Sequence, residues 1–561
     1  MLATRRFATA FMILSAIGLG CGKKPAPVAE ADPDGEEVRP RPRPKRVVDA
    51  DAPFPGADPV PAPKKKAAPA WGGGGAAVPL KHDSRVTFGP PGCPVFIVDQ
   101  DVYDLKTFKV IRQLPDGYER YARRALSRDG RYFAVTKKGW NEEDTETYVY
   151  ATDTGEKALT IPPAAKGAYV DNLAFFAGSH LFLGGRHGPG IQVWGIADGK
   201  MAGELTCPEK QVRETTVAYT PDGATYATIN RDKVVVAATS TNRTVAVMAT
   251  PGDGPGERPN GIHGGTFIYA WAKGMAFSPD GSELALFSTH SVPRLLVWNT
   301  KGQLVVDSPV PMPQFVGHDT TLEWLPDGSG WLVNGYLFDR ATKRVLLSVR
   351  VPFASSVLPH LADQNRLIGR LGGEENALQA APIPWGKLQA ALKAAEDKAD
   401  AYLAPGQPVA LDLQLNGLRG DANETRTLLG QALTKRLARD GIPVAAQAPT
   451  VVRMKLSEQA GDALPIRERQ SPFDFQGRDT GRKATEAKGS VVLELWAQGE
   501  SAPLWRGSLT AGSSRSFSEE INDATVRKSM LENLGRQLDS LEVPYFMPRD
   551  KDTLALPAVI D

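Results

Sequence analysis

Cysteine is scarce in this chain. Cys21, Cys93 and Cys207 are too few among 561 residues for a disulfide framework, and no CxxC pair is present to grip a metal. Cys93 and Cys207 leave two readings open, a bridge in an oxidising compartment or two small buried apolar side chains. Histidine is sparse as well. His82, His180, His187, His263, His290, His318 and His360 never stand at HxH or HExxH spacing, so no zinc site is supported. No Gly-x-Ser-x-Gly nucleophile elbow occurs. An excess of one charge is missing too: 66 basic residues face 64 acidic ones, so no general pull toward nucleic acid follows. What the chain has in plenty is glycine, 55 residues, and proline, 45, and both are unevenly placed.

The first boundary lies at the N-terminus. Arg5 and Arg6 precede an apolar run from Phe7 to Leu19. That run is short of the roughly 20 residues a membrane-spanning helix needs and suits the apolar core of a signal peptide. It ends in Ile17-Gly18-Leu19-Gly20-Cys21-Gly22. These residues resemble a bacterial lipoprotein signal, in which a cysteine after a small residue is lipidated and becomes the first residue of the mature chain. Gly20 fits that pattern, whereas Gly18 stands where a larger aliphatic residue is usual. The resemblance implies a signal peptide over 1–21, lipid (palmitate included) on Cys21, and a membrane-anchored place in the cell envelope, on a periplasmic or other extracytoplasmic face. The alternative is an ordinary secretory signal with an incidental cysteine.

From 22 to 80 the chain is proline, alanine, glycine and charge, with too little apolar surface to offset its ordering entropy. It reads as a disordered tether. Its polyproline-like parts advance about 3.1 Å per residue, which caps the reach below ~190 Å. Glu30 to Glu37 is acidic, whereas Arg39 to Arg46 and Lys64 to Lys66 are basic. The basic blocks read either as a solvated stiff linker or as a contact to anionic wall polymer or lipid headgroups.

The stretch 81–385 repeats at about 40 to 47 residues. One turn recurs as Ser127-Arg128-Asp129-Gly130, Thr220-Pro221-Asp222-Gly223, Ser278-Pro279-Asp280-Gly281 and Leu325-Pro326-Asp327-Gly328, with degenerate forms at Ala177 to His180 and Ala362 to Asn365. Asp bonds back to the backbone of such a corner and Gly takes the positive φ. A second turn follows an aromatic at Tyr103-Asp104, Tyr150-Ala151, Trp194-Gly195, Trp298-Asn299 and Phe338-Asp339. A weaker unit lies near Ala238. This period belongs to four-stranded propeller blades.

Phe315-Val316-Gly317-His318-Asp319 followed by Trp324-Leu325-Pro326-Asp327-Gly328 resembles the Gly-His and Ser-Pro-Asp-Gly elements of the WD40 family. The family's closing Trp-Asp is represented by Trp298-Asn299, Tyr103-Asp104 and Phe338-Asp339. The resemblance implies a mainly β fold, a β-propeller. Seven blades are counted if the piece around Val95 to Val110 joins the last blade to close the ring, with six or eight left open.

Beyond the repeat, 386–404 reads as a connecting helix and 405–561 as a small α+β sandwich. Val409 to Leu415, Val451 to Leu456, Ser490 to Ala497 and Leu504 to Leu509 read as strands. Asn423 to Asp440 and Asp523 to Leu541 read as helices on one face of their sheet. The order is similar to small domains of bacterial envelope lipoproteins and to the one beside the propeller of the periplasmic protein of the Tol–Pal system. The tail Val543 to Pro548 is expected to be pinned on its own domain.

Candidate contact residues are few. Pro251 to Gly265 lacks the Lys-Ser/Thr pair of a phosphate loop and reads as a long surface loop, where Asn260 and His263 are candidate partner contacts. Trp140, beside Glu142-Glu143-Asp144, is a third. Asp99, Asp101 and Asp104 lack the glycine and distal glutamate of a calcium loop and read as a blade turn. Tyr118 to Arg124 interleaves aromatic and basic residues and reads as a solvated strand edge.

These features point to a non-catalytic, envelope-anchored scaffold that binds a protein or cell-wall glycan. No catalytic residue, metal or cofactor is expected, and no nucleic acid. The alternative is an exported propeller hydrolase or lyase, with carboxylates from several blades meeting at the channel mouth.

Overall fold

An Asp-Gly corner turns a strand back on its predecessor, and the four intact copies do so here. Gly130, Gly223, Gly281 and Gly328 hold φ between +69° and +73°, a region glycine enters without steric cost. The computed structural model describes residues 77–560, except 82–83, 116–117, 120–121, 140–144, 164–168, 177–179, 187–190, 206–216, 231–232, 240–242, 250–271, 289–292, 312–320, 350–356, 371–376, 398–399, 469–477, 513–521 and 540.

Seven four-stranded antiparallel sheets follow one another: blade 1 (86–113), blade 2 (122–161), blade 3 (169–205), blade 4 (217–249), blade 5 (272–309), blade 6 (322–349) and blade 7 (360–382). The weak unit near Ala238 is blade 4. Each blade packs on the next through a small apolar cluster. Ile97, Leu114 and Phe133 join blades 1 and 2. Val193, Tyr226 and Ala237 join blades 3 and 4. Leu286, Trp298 and Val234 join blades 4 and 5. The last blade meets the first through Ile368, Leu378, Phe96 and Phe108, and Gly92 N–H donates to Ala362 O at 3.2 Å. The ring is closed, and a closed ring leaves no blade with an uncovered face.

The closure differs from the sequence expectation. The segment 95–110 lies wholly within blade 1, in strands Val95–Val98 and Asp101–Asp104 and at the start of Val110–Gln113. Blade 7 has three strands of its own and takes its fourth from Val78–Pro79, paired antiparallel as Val78↔Leu378 and Pro79↔Ala377. The end of the segment read as tether is therefore strand. Val78 and Leu80 are buried in the cluster between blades 7 and 1, so two apolar residues at the end of a Pro/Gly-rich run suffice to seal the ring.

The C-terminal part is the expected β-α-β-β-β-α sandwich. Its sheet runs Ala410–Asn416, Thr450–Glu468, Arg478–Ala497, Trp505–Gly512, with the first pair parallel and the others antiparallel. Every second residue faces the helices: Val452, Met454 and Leu456 on one strand, Val491, Leu493 and Leu495 on the next. Helix Ala422–Arg439 brings Leu429, Leu433 and Leu437 to this core, and helix Asp523–Asp539 brings Val526, Met530, Leu534 and Leu538. Asp421 caps the first helix by accepting from Asn423 N–H at 2.7 Å. The two middle strands are 19 and 20 residues long, far beyond the hexads and octads read from the sequence. The connecting helix is shorter than expected. It spans Trp385–Glu396, and Ala401–Leu403 then pairs with Met547–Pro548.

One hydrophobic core runs from blade 6 (Leu332, Leu337, Leu347) through Leu388 of the connecting helix into the sandwich. The tail reinforces the joint. Tyr545 and Phe546 are buried in this core, and the Tyr545 hydroxyl donates to Val345 O at 3.1 Å. Ala558–Ile560 adds to blade 6 as a fifth strand, parallel to Val345–Val349. The tail is thus pinned on the propeller as well as on its own domain.

Candidate functional site

The two ends of the ring are built differently. At one end the described turns reverse the chain within a few residues, and in several of them side chains of the turn bond its backbone. Ser278 Oγ donates to Asp280 at 2.6 Å and accepts Glu283 N–H at 2.9 Å, while Asp280 accepts Ser282 N–H at 3.0 Å. Blade 2 repeats this with Ser127, Asp129 and Tyr132 N–H. The second turn uses Asp104, which accepts Lys106 and Thr107 N–H, and Asp339, which accepts Thr342 N–H at 2.6 Å. The Asp99 to Asp104 cluster spans strand Asp101–Asp104 and is not a single turn: Asp99 precedes the strand, beside Arg85, whose N–H its carboxylate accepts at 2.8 Å, and Asp104 ends it. Among the described residues no three His, Cys, Asp or Glu side chains gather as metal ligands would.

At the other end the strands are joined by longer connections, 206–216, 250–271, 310–321 and 350–359. Arginine collects here. Arg85 directly precedes the innermost strand of blade 1, Arg123 and Arg124 lie in the first half of the innermost strand of blade 2 (Ala122–Leu126), and Arg370 directly follows strand Arg366–Gly369 of blade 7. The register brings these positions to one end of the ring, across three adjacent blades. Arg124 is half-buried. Its guanidinium lies 5.2 Å from the Tyr118 ring centroid and reaches the Asp99 carbonyl at 3.5 Å, and the same carbonyl accepts the Tyr118 hydroxyl at 2.9 Å. Burial pulls the Arg124 pKa below the usual arginine value, the fields of Tyr118 and Asp99 oppose this, and the Arg85 charge adds to it. The Nε–H groups of Arg123, Arg124 and Arg370 are buried and have no acceptor.

Of Tyr118 to Arg124, read as a solvated strand edge, Ala122, Arg123 and Arg124 begin the edge strand of the blade 2 sheet and are half-buried. Among described side chains of the innermost strands, the acid in mid-strand is Glu323, and it is engaged across a blade boundary. Its two oxygens meet His360 Nδ1 and Leu361 N–H, both at 2.7 Å, tying blade 6 to blade 7.

Of the sequence-derived contacts, Cys21, Trp140, Asn260 and His263 lie outside the described residues, as do Cys207 and the Phe315 to Asp319 element. Cys93 is a free thiol that donates to Val95 O and Ser127 O, and burial pushes its pKa up to about 11. Sequence reasoning missed Arg85 and Arg370, which stand singly at strand ends without a motif. The pair Arg123-Arg124 carried the one available signal, two charges inside a short strand pattern.

The sandwich offers a second, shallower feature. A groove of about 480 Å³ lies between helix Ala422–Arg439 and the edge strand Ala410–Asn416, lined by Leu411, Arg426, Gly430 and Lys435 among others.

No protein-family model matches the chain, and no curated protein matches it. Among solved structures it is similar to the β-propeller domain of Cps50 (Swd1) from Myceliophteria thermophila, with 15% identity and a TM-score of 0.38 over 55% of this chain and 99% of that one. It is also similar to hydrazine synthase of Kuenenia stuttgartiensis, with 13% identity and a TM-score of 0.32 over 49% of this chain and 76% of that one.

Proposed function

We propose that this chain is a non-catalytic binding scaffold of the cell envelope, lipid-anchored through Cys21, that presents its propeller to a protein or cell-wall glycan partner. The observation that carries the scaffold reading is the single core running from blade 6 into the sandwich. A propeller and a second domain joined by buried side chains and a shared sheet present two surfaces at a fixed spacing, which suits a platform. Loops and ring openings on such a rigid frame are the usual places for contacts. The groove beside strand Ala410–Asn416 supplies the second surface. The anchoring part rests on the residues around Cys21 and on the Pro/Ala/Gly-rich stretch that follows.

Intact mass of the mature protein from membrane and soluble fractions tests the anchor. A membrane-bound species that begins at Cys21 and carries a diacylglyceryl group is expected. A soluble species cut at another residue would remove lipid from the proposal. Crosslinking at native expression tests the scaffold: recurrent envelope partners are expected, and their complete absence would count against it.

A further inference from the structure

We infer that the open edge of the sandwich sheet takes an extended, acidic segment of a protein partner as a fifth strand, its acids held by Arg426 and Lys435. This deepens the scaffold reading, on which it rests, by giving the groove its partner. Strand Ala410–Asn416 pairs with Thr450–Glu468 on one side only. On its other side Val444 bridges Val409: Val409 N–H donates to Pro443 O and Val409 O accepts Ala445 N–H, both at 2.9 Å. Main-chain groups alternate sides along a strand, so those of Leu411, Leu413 and Leu415 point the same way as those of Val409. Beyond Val409 no described strand pairs with that side. Leu411, Leu413 and Leu415 are accordingly half-buried, whereas Val452, Met454 and Leu456 of the neighbouring strand are buried. An edge that carries apolar side chains is a template for another strand. The chain completes an edge in this way itself, where Ala558–Ile560 joins Val345–Val349.

The groove sets the chemistry of that segment. It opens beside the same edge, with helix Ala422–Arg439 as its other wall. Every second side chain of an added strand faces the helix layer and enters the groove. Gly430 leaves room there. A Cβ at this position would stand 3.2 Å from Leu413 Cδ1, so helix and strand come close and no side chain fills the space between Arg426 and Lys435. Both cations are exposed. Among the described residues Arg426 donates to Asn423 Oδ1 at 3.1 Å and meets no carboxylate. Lys435 Nζ stands 3.9 Å from Asp539, which Arg439 already holds at 2.5 Å. No acid is among the residues that line the groove, so its charge complements an acidic occupant. Nine residues of helix separate the two cations, about 13 Å at 1.5 Å per residue. Four residues of extended chain cover roughly the same length. The segment that fits therefore carries acids at its first and fifth positions and an apolar side chain at the third, against Gly430 and Leu411.

The test is selection of displayed random short peptides on the purified full chain, then anisotropy titration with the most enriched peptide in synthetic form. Enrichment of the acid–x–apolar–x–acid pattern is expected, with affinity falling as sodium chloride rises. A chain carrying Arg426→Gln and Lys435→Gln should keep the parent's melting curve and bind that peptide at least about fivefold more weakly. Lys387→Gln, on the connecting helix and outside the groove, should bind as the parent does. Amide hydrogen exchange at Leu411, Leu413 and Leu415 should slow at least about tenfold in the saturated complex, which contact through side chains alone would not produce. Enriched peptides without acids, equal binding by the double variant, or unchanged exchange at the three leucines overturns the inference. So does a dimer of the parent in sedimentation that the double variant dissociates, because the edge would then belong to a second copy. Partner crosslinking separates the two readings. Envelope partners retained by a chain that takes no peptide would leave the scaffold standing and remove only this site, and peptide binding without any envelope partner would do the reverse.

Discussion

The two ends of the propeller ring treat charge in opposite ways. At the turn end the fold favours the ionised form of its acids. Asp104, Asp222 and Asp280 all titrate below the ordinary carboxylate range, held down chiefly by Thr107, by Ala224 N–H and by Ser278 respectively. At the arginine end burial disfavours the charge of Arg124. The turn end bonds much of its backbone with its own side chains, and Glu283 Oε2 and Thr239 Oγ1 are among its buried atoms without a partner; at the other end the Nε–H groups of Arg123, Arg124 and Arg370 have no acceptor. A self-satisfied end contributes stability and leaves little for a ligand to add, whereas an unsatisfied end gives up stability and keeps its polar groups available.

The turn end should therefore be sensitive to substitution, most of all where backbone conformation and space are both committed. Gly130 has φ +71°, and a Cβ there would sit 2.9 Å from Val95 Cγ2 and 3.1 Å from Pro94 Cγ. Gly130→Val is expected to cost about 3 kcal/mol, the left-handed penalty plus overpacking, measured as a shift in the urea midpoint. Gly328 has the same φ but open space around it, so Gly328→Ala should cost only about 1 kcal/mol. Equal losses at the two sites would show that packing between blades 1 and 2 is looser than these distances imply.

Next in size is Ser278→Ala. The Ser278 hydroxyl is the acceptor for Glu283 N–H on a buried stretch of strand and also the donor to Asp280. Its removal strands one buried amide, which costs roughly 1–2 kcal/mol. Arg124→Gln, at the other end, should leave the melting curve within about 0.5 kcal/mol of the parent, because its Nε–H has no acceptor to lose and its contact with the Asp99 carbonyl is long, 3.5 Å. If both substitutions destabilise equally, the contrast between the ends fails.

How much of this was readable beforehand follows the same division. The turn end announces itself in sequence because its chemistry is local: Asp and Gly within a few residues define four of the corners, so the blade period followed from spacing while the count stayed open between six and eight. The α+β order of the sandwich was readable from periodicity in Leu428 to Leu437 and Val526 to Leu538. Contacts between distant segments were not. Val78–Pro79 and Ala558–Ile560 are two and three residues long, below any periodicity, and become strands only because Ala377–Pro382 and Val345–Val349 offer them an open edge. The outer halves of strands Thr450–Glu468 and Arg478–Ala497 are polar and glycine-bearing, and they are held as strands by each other. Arg85 and Arg370 carry meaning only through the register that brings three blades together.

The smallest expected effect concerns pH. The Asp280 carboxyl is lowered from 3.8 to about 2, first by Ser278 and then by Ser282. A group whose folded pKa is depressed adds stability that is fully present above its unfolded pKa and is lost as pH falls through the folded one. The window is therefore pH 4 down to 2. Because Asp280 is exposed, solvent screening keeps its share small, well under about 1 kcal/mol. Asp280→Asn should flatten the acid limb of a stability–pH curve in that window and leave the slope above pH 5 untouched. A change confined to higher pH would mean that a different group, outside the turns, controls acid unfolding. The acids of the turn end would then be bystanders, and the electrostatic contrast between the two ends would rest on the arginines alone.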